Sequence, residues 1–330
     1  MIPERIYDVS SGDRFMELPG FTAEFVTNVK IEGLNPAGSI KMKTAREMIL
    51  DAEARGRITP ECELIESTSG NLGVALASIC AARGYRITLV TDPNVNARTL
   101  RFIKALGAEV VIVDERDRAG GYLATRIEYI RRRTAADSRL VWLNQYANPV
   151  NTTAHSTHTV GEILAGFGAP DWLFVGTGTS GTLMGCVRGL REAGASTNVV
   201  AVDAVGSVTF GGGPGRRWIP GIGTSRVPEI FIDDGSFHKV LVDERDAIRT
   251  CRRVAREHGL LLGGSSGSTL AAVAAFSGRI APGSRVLAIS PDMGEGYLDT
   301  VYNDDWVVER FGSETLAAAP ERREAEYLPG

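Results

Sequence analysis

Lysine is scarce in this chain of 330 residues: of its 36 basic side chains, only Lys30, Lys41, Lys43, Lys104 and Lys239 are lysine. Lysine can shed its proton and attack a carbonyl, and arginine cannot, so each lysine is a candidate for chemistry. Lys41 follows the chain break Asn35-Pro36-Ala37-Gly38-Ser39-Ile40, where a helix begins. Lys41 and Lys43 both fall in its first turn, an end of the helix dipole that disfavours cations. Periodicity separates them. Lys41 shares a face with Ala45, Met48 and Ala52, an apolar stripe, and is expected to point inward. Lys43 has Glu47 four residues on and is expected to form a solvent-face ion pair. A desolvated lysine has a lowered pKa, which is the setting of a Schiff-base lysine.

Two further segments offer anion sites. Ser67-Thr68-Ser69-Gly70-Asn71 places three hydroxyls and an amide at a strand end, just before a helix, where free N–H groups favour a carboxylate. Thr177-Gly178-Thr179-Ser180-Gly181-Thr182 does the same with two glycines that let the backbone approach a phosphate. Neither the GK[ST] of a P-loop nor G-x-G-x-x-G is present there. A lysine for a Schiff base, a phosphate cradle and polar partners for a pyridine ring are together what pyridoxal phosphate needs.

The elements that position these loops alternate. Strands are expected at Cys62–Glu66, Arg86–Thr91, Glu109–Asp114 and Leu140–Asn144, and again at Trp172–Gly176, Val199–Asp203 and Arg285–Ser290. Helices are expected at Leu72–Arg83, Ala97–Leu106, Gly121–Arg133, Gly181–Glu192, Asp246–His258 and Thr269–Phe276. Unalternated, β-branched strand interiors point to strands buried on both faces, and strand–helix repetition to parallel sheets. The fold class is α/β, with two open twisted sheets flanked by helices, near 39–147 and 148–310. A Gly-, Pro- and Arg-rich segment between Val205 and Lys239 reads as a functional loop.

Composition narrows the partners. Net charge is −4 with 43% hydrophobic residues, so the chain packs as a globule with no special call on nucleic acid or anionic membrane. The charged N-terminus resembles no signal peptide, and no apolar run spans a bilayer. Cys62, Cys80, Cys186 and Cys251 form no CxxC pair and are expected as buried free thiols in a cytoplasmic protein. No metal site is expected from the scattered His155, His158, His238 and His258.

With these pieces in hand, the chain resembles the β-family, or fold type II, of pyridoxal-phosphate enzymes, to which cysteine synthase, cystathionine β-synthase and the tryptophan synthase β chain belong. The matching motifs run in the family's order from about 20 to 300: Asn35-Pro36…Ser39-Ile40-Lys41, Thr68-Ser69-Gly70-Asn71, Leu106-Gly107-Ala108-Glu109, Asn144-Gln145-Tyr146-Ala147-Asn148-Pro149, Gly178–Thr182 and Gly221-Ile222-Gly223. The resemblance implies that Lys41 carries the cofactor, that Asn71 bonds its ring hydroxyl, and that Gly178, Thr179, Ser180, Gly181 and Thr182 hold its phosphate. Thr68, Ser69, Asn71 and Gln145 would grip the substrate α-carboxylate. It also implies a large unit of 1–38 and 148–312, a smaller mobile unit of 39–147, a tail of 313–330, and a homodimer.

The departures carry the specificity. Ser180 stands where cysteine synthases have glycine, and Tyr146 where they have phenylalanine. The serine that commonly faces the pyridine nitrogen at the last strand is replaced in Ser290-Pro291-Asp292-Met293-Gly294, leaving Ser265 as the substitute. Arg216, Arg217 and Arg226 add guanidinium forks suited to phosphate and carboxylate. These features resemble a subgroup that makes 2,3-diaminopropionate precursors for siderophores or peptide antibiotics. Its reaction is a β-replacement joining O-phospho-L-serine to L-glutamate. Cysteine synthesis from sulfide is the alternative.

Overall fold

The computed structural model describes residues 5–9, 14–117, 120–317 and 326–328. Its strands are β1 (Phe15–Leu18), β2 (Thr27–Ile31), β3 (Glu63–Ser67), β4 (Arg86–Thr91), β5 (Glu109–Ile112), β6 (Leu140–Trp142), β7 (Trp172–Gly176), β8 (Asn198–Ala204), β9 (His238–Val242), β10 (Val286–Ser290) and β11 (Glu326–Leu328). They form two sheets. The smaller has the order β5-β4-β3-β6 and is parallel throughout. The larger has the order β1-β2-β10-β7-β8-β9-β11, with a parallel centre and antiparallel edges at β1 and β11. Apolar central strands such as Leu173-Phe174-Val175 and Val199–Val202 are buried because helices cover both faces. The C-terminal ends of β3 and β7 carry the two hydroxyl-rich loops, the position where open α/β sheets bind ligands.

Several elements lie outside the reading from periodicity. β2 includes Lys30, whose side chain is wholly buried because it meets Glu32 at 2.8 Å and Glu162 at 2.6 Å. The same carboxylates settle Lys43, which corrects the expected solvent-face pair with Glu47. Lys43 is buried and binds Glu32 and Glu162 at 2.8 and 2.6 Å, while Glu47 turns to Arg46 and His158. Two paired charges on each side offset a desolvation that neither pair would offset alone. The helix Gly264–Phe276 starts earlier than expected, since its Gly-Ser-Ser-Gly opening packs rather than loops. A Cβ on Gly267 would sit 2.3 Å from the Ala247 carbonyl of the neighbouring helix Glu244–His258. Cys62 is partly exposed and bonds Thr59, unlike the three buried thiols. Within the expected tail, Glu326–Leu328 adds to the edge of β9, and 318–325 and 329–330 lie outside the described residues.

Candidate active site

The helix Lys41–Ala54 begins at the seam between the two sheets. Its start is tied to the turn after β10: the Ile40 amide donates to the Pro291 carbonyl at 2.7 Å, and Ser39 bridges Asp292. One pocket brings together Lys41, Asn71, Gly178, Thr179, Ser180, Gly181, Thr182 and Ser265. These are the residues assigned to the cofactor from sequence, contributed by segments separated by more than two hundred positions. Burial pushes the Lys41 amine down to about 8, with the negative charge of Asp292 opposing the fall. About a tenth of the amine is therefore neutral at pH 7, some hundreds of times more than for an ordinary lysine, as a Schiff-base lysine requires.

The candidate phosphate cradle is the turn from β7 into the helix Gly181–Glu192. Ser180 adopts φ +68° there, a left-handed conformation unfavourable for a residue with a side chain. Its hydroxyl is buried and has no hydrogen-bond partner. Strain and an unpaired buried hydroxyl at a helix N-terminus together mark a place kept for a ligand. The glycines have no room to be anything else. A Cβ on Gly181 would lie 2.2 Å from Asn151 Oδ1, and one on Gly178 would lie 3.0 Å from the Gly221 carbonyl. The donor set thus fits a phosphate: free N–H groups, hydroxyls and the positive end of a helix dipole. Pyridoxal phosphate would be held by this cradle, by Lys41 at its aldehyde carbon, and by Asn71 and Ser265 at its ring.

A buried network braces the cradle against the lysine helix. Thr44 donates to Asn151 Oδ1 at 3.0 Å and contacts His155 Nε2 at 3.0 Å. His155 Nε2 also meets Thr182, and its Nδ1 meets Thr159. Asn151 donates to Thr179 at 3.2 Å and to the Gln145 carbonyl at 2.9 Å. Burial, then the charge of Lys41, holds His155 well below the ordinary histidine range, so it serves as a neutral linker. His155–Thr159 forms a single π-turn, packed so closely that a Cβ on Gly185 would lie 2.4 Å from the Cβ of His155.

The loop expected to bind a carboxylate adjoins this pocket through Asn71. Thr68 is buried with its hydroxyl accepting from the Gly70 amide, and Gln145 donates to the Ser67 carbonyl at 2.9 Å. Beneath them lies Glu66, wholly buried, which accepts from the Ser67 and Gln145 amides and from Trp142. Burial raises its carboxyl to about 7 against those hydrogen bonds. Ser69 accepts from Arg126, a residue 6% exposed whose guanidinium pairs with Asp92 at 3.2 Å. Tyr146 is buried against Leu123 and Ile127, with Arg126, Glu66 and Arg226 near its hydroxyl.

Arg126 and Glu66 are missing from the sequence-derived set, although signals existed. Arg126 shares a helix face with Leu123, Ile127 and Ile130, the argument that singled out Lys41. Glu66 is a charge at the end of a strand buried on both faces. The three loop arginines are placed apart from the pocket. Arg216 stacks 3.7 Å over Trp218, where the indole face attracts it. Arg217 turns inward to the Gly206 carbonyl and Ser225, satisfying the buried turn. Arg226 pairs with Glu229, close enough to Tyr146 to act on its charge.

Residues 14–292 match the family described as pyridoxal-phosphate dependent enzymes. The chain is 42% identical over 329 residues, 97% of each chain, to N-(2-amino-2-carboxyethyl)-L-glutamate synthase of Ralstonia nicotianae. It is 43% identical over 299 residues to the synthase of the same name from Cupriavidus metallidurans, covering 88% of this chain and 87% of that one. Its structure is similar to that of O-ureido-L-serine synthase, with a TM-score of 0.84 and 31% identity over 94% of this chain and 96% of that one. The lysine at the seam, the cradle that fits a phosphate and a family match spanning most of the sequence agree: the chain belongs to the pyridoxal-phosphate dependent enzymes.

Proposed function

We propose that the protein catalyses a β-replacement that joins O-phospho-L-serine and L-glutamate into N-(2-amino-2-carboxyethyl)-L-glutamate and releases phosphate, a step toward 2,3-diaminopropionate. The observation that carries this reading at the site is Arg126, a buried cation bonded to the carboxylate loop at Ser69, with Tyr146 beside it and Ser180 in the cradle. A fixed guanidinium and two added hydroxyls suit a dianionic leaving group. Sulfide, the nucleophile of cysteine synthesis, needs none of them. The two relatives of that name, similar over most of their length, support the same choice.

Pyridoxal phosphate, when bound, supplies an electron sink for a carbanion at Cα. The protein's own residues do the rest. Thr68, Ser69 and Gln145 receive the substrate α-carboxylate at the helix N-terminus, with Glu66 fixing the Gln145 backbone from below. Lys41, as a neutral amine, takes the Cα proton and later returns it. Ser180, Tyr146 and Arg126 meet the departing phosphate, and Arg226, which acts on the charge of Tyr146, is the cation offered to a carboxylate of the incoming glutamate. The unit of 39–147 closes over the substrate, and the working form is a cytoplasmic homodimer. Phosphate release tests the choice of partners. Release from O-phosphoserine should turn over continuously with glutamate and stall without it; faster turnover with sulfide than with glutamate would favour cysteine synthesis instead. Lys41→Ala should lose both turnover and the visible band of the lysine-bound cofactor.

A further inference from the structure

Asp292 lies in the turn after β10 and is 4% exposed. Its Oδ2 accepts from Asn71 Nδ2 at 2.8 Å and from the Tyr297 hydroxyl at 2.7 Å. Its Oδ1 is buried with no hydrogen-bond partner and lies so near Gly263 that a Cβ there would fall 1.8 Å away. Its backbone is tied on two sides, to Ser39 just before Lys41 and to Gly263 just before Ser265. One carboxylate therefore stands where the lysine, the Asn71 amide and the Ser265 turn converge.

We propose that Asp292 is a positioning residue of the reaction: it orients the Asn71 amide with its nitrogen toward the cofactor ring and holds a negative charge against the Lys41 nitrogen. The inference rests on Lys41 and Asn71 being the groups that take the cofactor. A carboxylate accepts only, so Asn71 must present its NH2 group, and its second N–H remains for an oxygen on the ring. The charged groups facing Asp292 are Lys41 and Glu295, with the Tyr297 hydroxyl as its second donor. Burial raises the Asp292 carboxyl, and Tyr297, Asn71 and Lys41 oppose that rise. Its charge in turn keeps the Lys41 nitrogen easier to protonate than burial alone would allow.

Asp292→Asn separates charge from geometry, because its amide oxygen can take both existing hydrogen bonds while its NH2 replaces the unpartnered Oδ1. The test is an absorbance titration of the pyridoxal-phosphate-loaded protein from pH 6 to 10, with no substrate present. In Asp292→Asn the midpoint for loss of the proton on the lysine-linked nitrogen should fall by ~1 pH unit. The apoenzyme's affinity for pyridoxal phosphate should stay near that of the wild type. In Asp292→Ala, which also frees Asn71, that affinity should fall about tenfold, and in an Asn71→Ala background the extra loss should vanish. A folded Asp292→Asn holoenzyme with an unmoved midpoint overturns the proposal. So does an Asp292→Ala apoenzyme that binds the cofactor like wild type. Should Asp292→Ala fail to fold, the isosteric variant decides alone. Because neither readout involves a substrate, failure here is distinguishable from an error in the choice of phosphoserine and glutamate.

Discussion

At the scale of single residues, the site is organised by side chains placed where their type is unfavourable. Lys41 is desolvated, Ser180 holds a left-handed backbone, and Glu66 is buried with a raised carboxyl. Lys41 allows a sign to be worked out. Its amine titrates near 8 when folded and at 10.5 when unfolded, so the unfolded chain binds more protons between those values. Burying Lys41 therefore costs stability below pH 8, and the cost fades as pH rises toward 10.5. Apo Lys41→Met should exceed the wild type in stability by up to about 3 kcal/mol at pH 7, relative to its advantage at high pH. Denaturant unfolding of both apoproteins across that range checks this, and a pH-independent difference would contradict it. Ser180→Gly should relieve about 1 kcal/mol of backbone strain while lowering kcat/KM for O-phosphoserine at least tenfold. Thermal unfolding and steady-state phosphate release measure the two effects.

At the scale of elements, glycines and buried charges decide where helices can sit. The helix Gly181–Glu192 approaches Asn151 and the π-turn through Gly181, Gly185 and Gly189. Gly181→Ala should displace Asn151 from Thr179 and weaken pyridoxal-phosphate binding at least tenfold, measured by cofactor titration of the apoenzyme. The lysine helix is anchored by the Lys30–Glu32–Lys43–Glu162 network. Lys43→Met leaves Glu32 with half its compensation and should destabilise the fold by about 3–5 kcal/mol in urea unfolding. The interior strands, such as Arg86–Thr91 and Trp172–Gly176, were legible because continuous β-branched runs have no other comfortable place. β2 and β9 were not, since Lys30 in one and His238 and Lys239 in the other mask a buried pattern.

At the scale of the whole molecule, the site is a meeting of segments that local pattern cannot connect. The residues that line the shared pocket were legible because each stands in a motif with its own physical mark: a lysine on an apolar stripe, hydroxyls at a helix start, glycines in a tight turn. Arg126 was not, because it is one arginine in an arginine-rich helix and its partner Ser69 is 57 positions away. Asp292 bonds Asn71 across 221 positions, and no periodicity reports such a contact. The loop arginines show the converse, since charge in a sequence says nothing about direction. Arg217 spends its guanidinium on the Gly206 carbonyl. The most direct measurement is therefore of the whole reaction: mass analysis of the product formed by the holoenzyme from O-phospho-L-serine and L-glutamate. A single product with the mass of N-(2-amino-2-carboxyethyl)-L-glutamate, absent when either substrate is withheld, is the expected result. No such product, with efficient cysteine formation when sulfide is supplied, would contradict it.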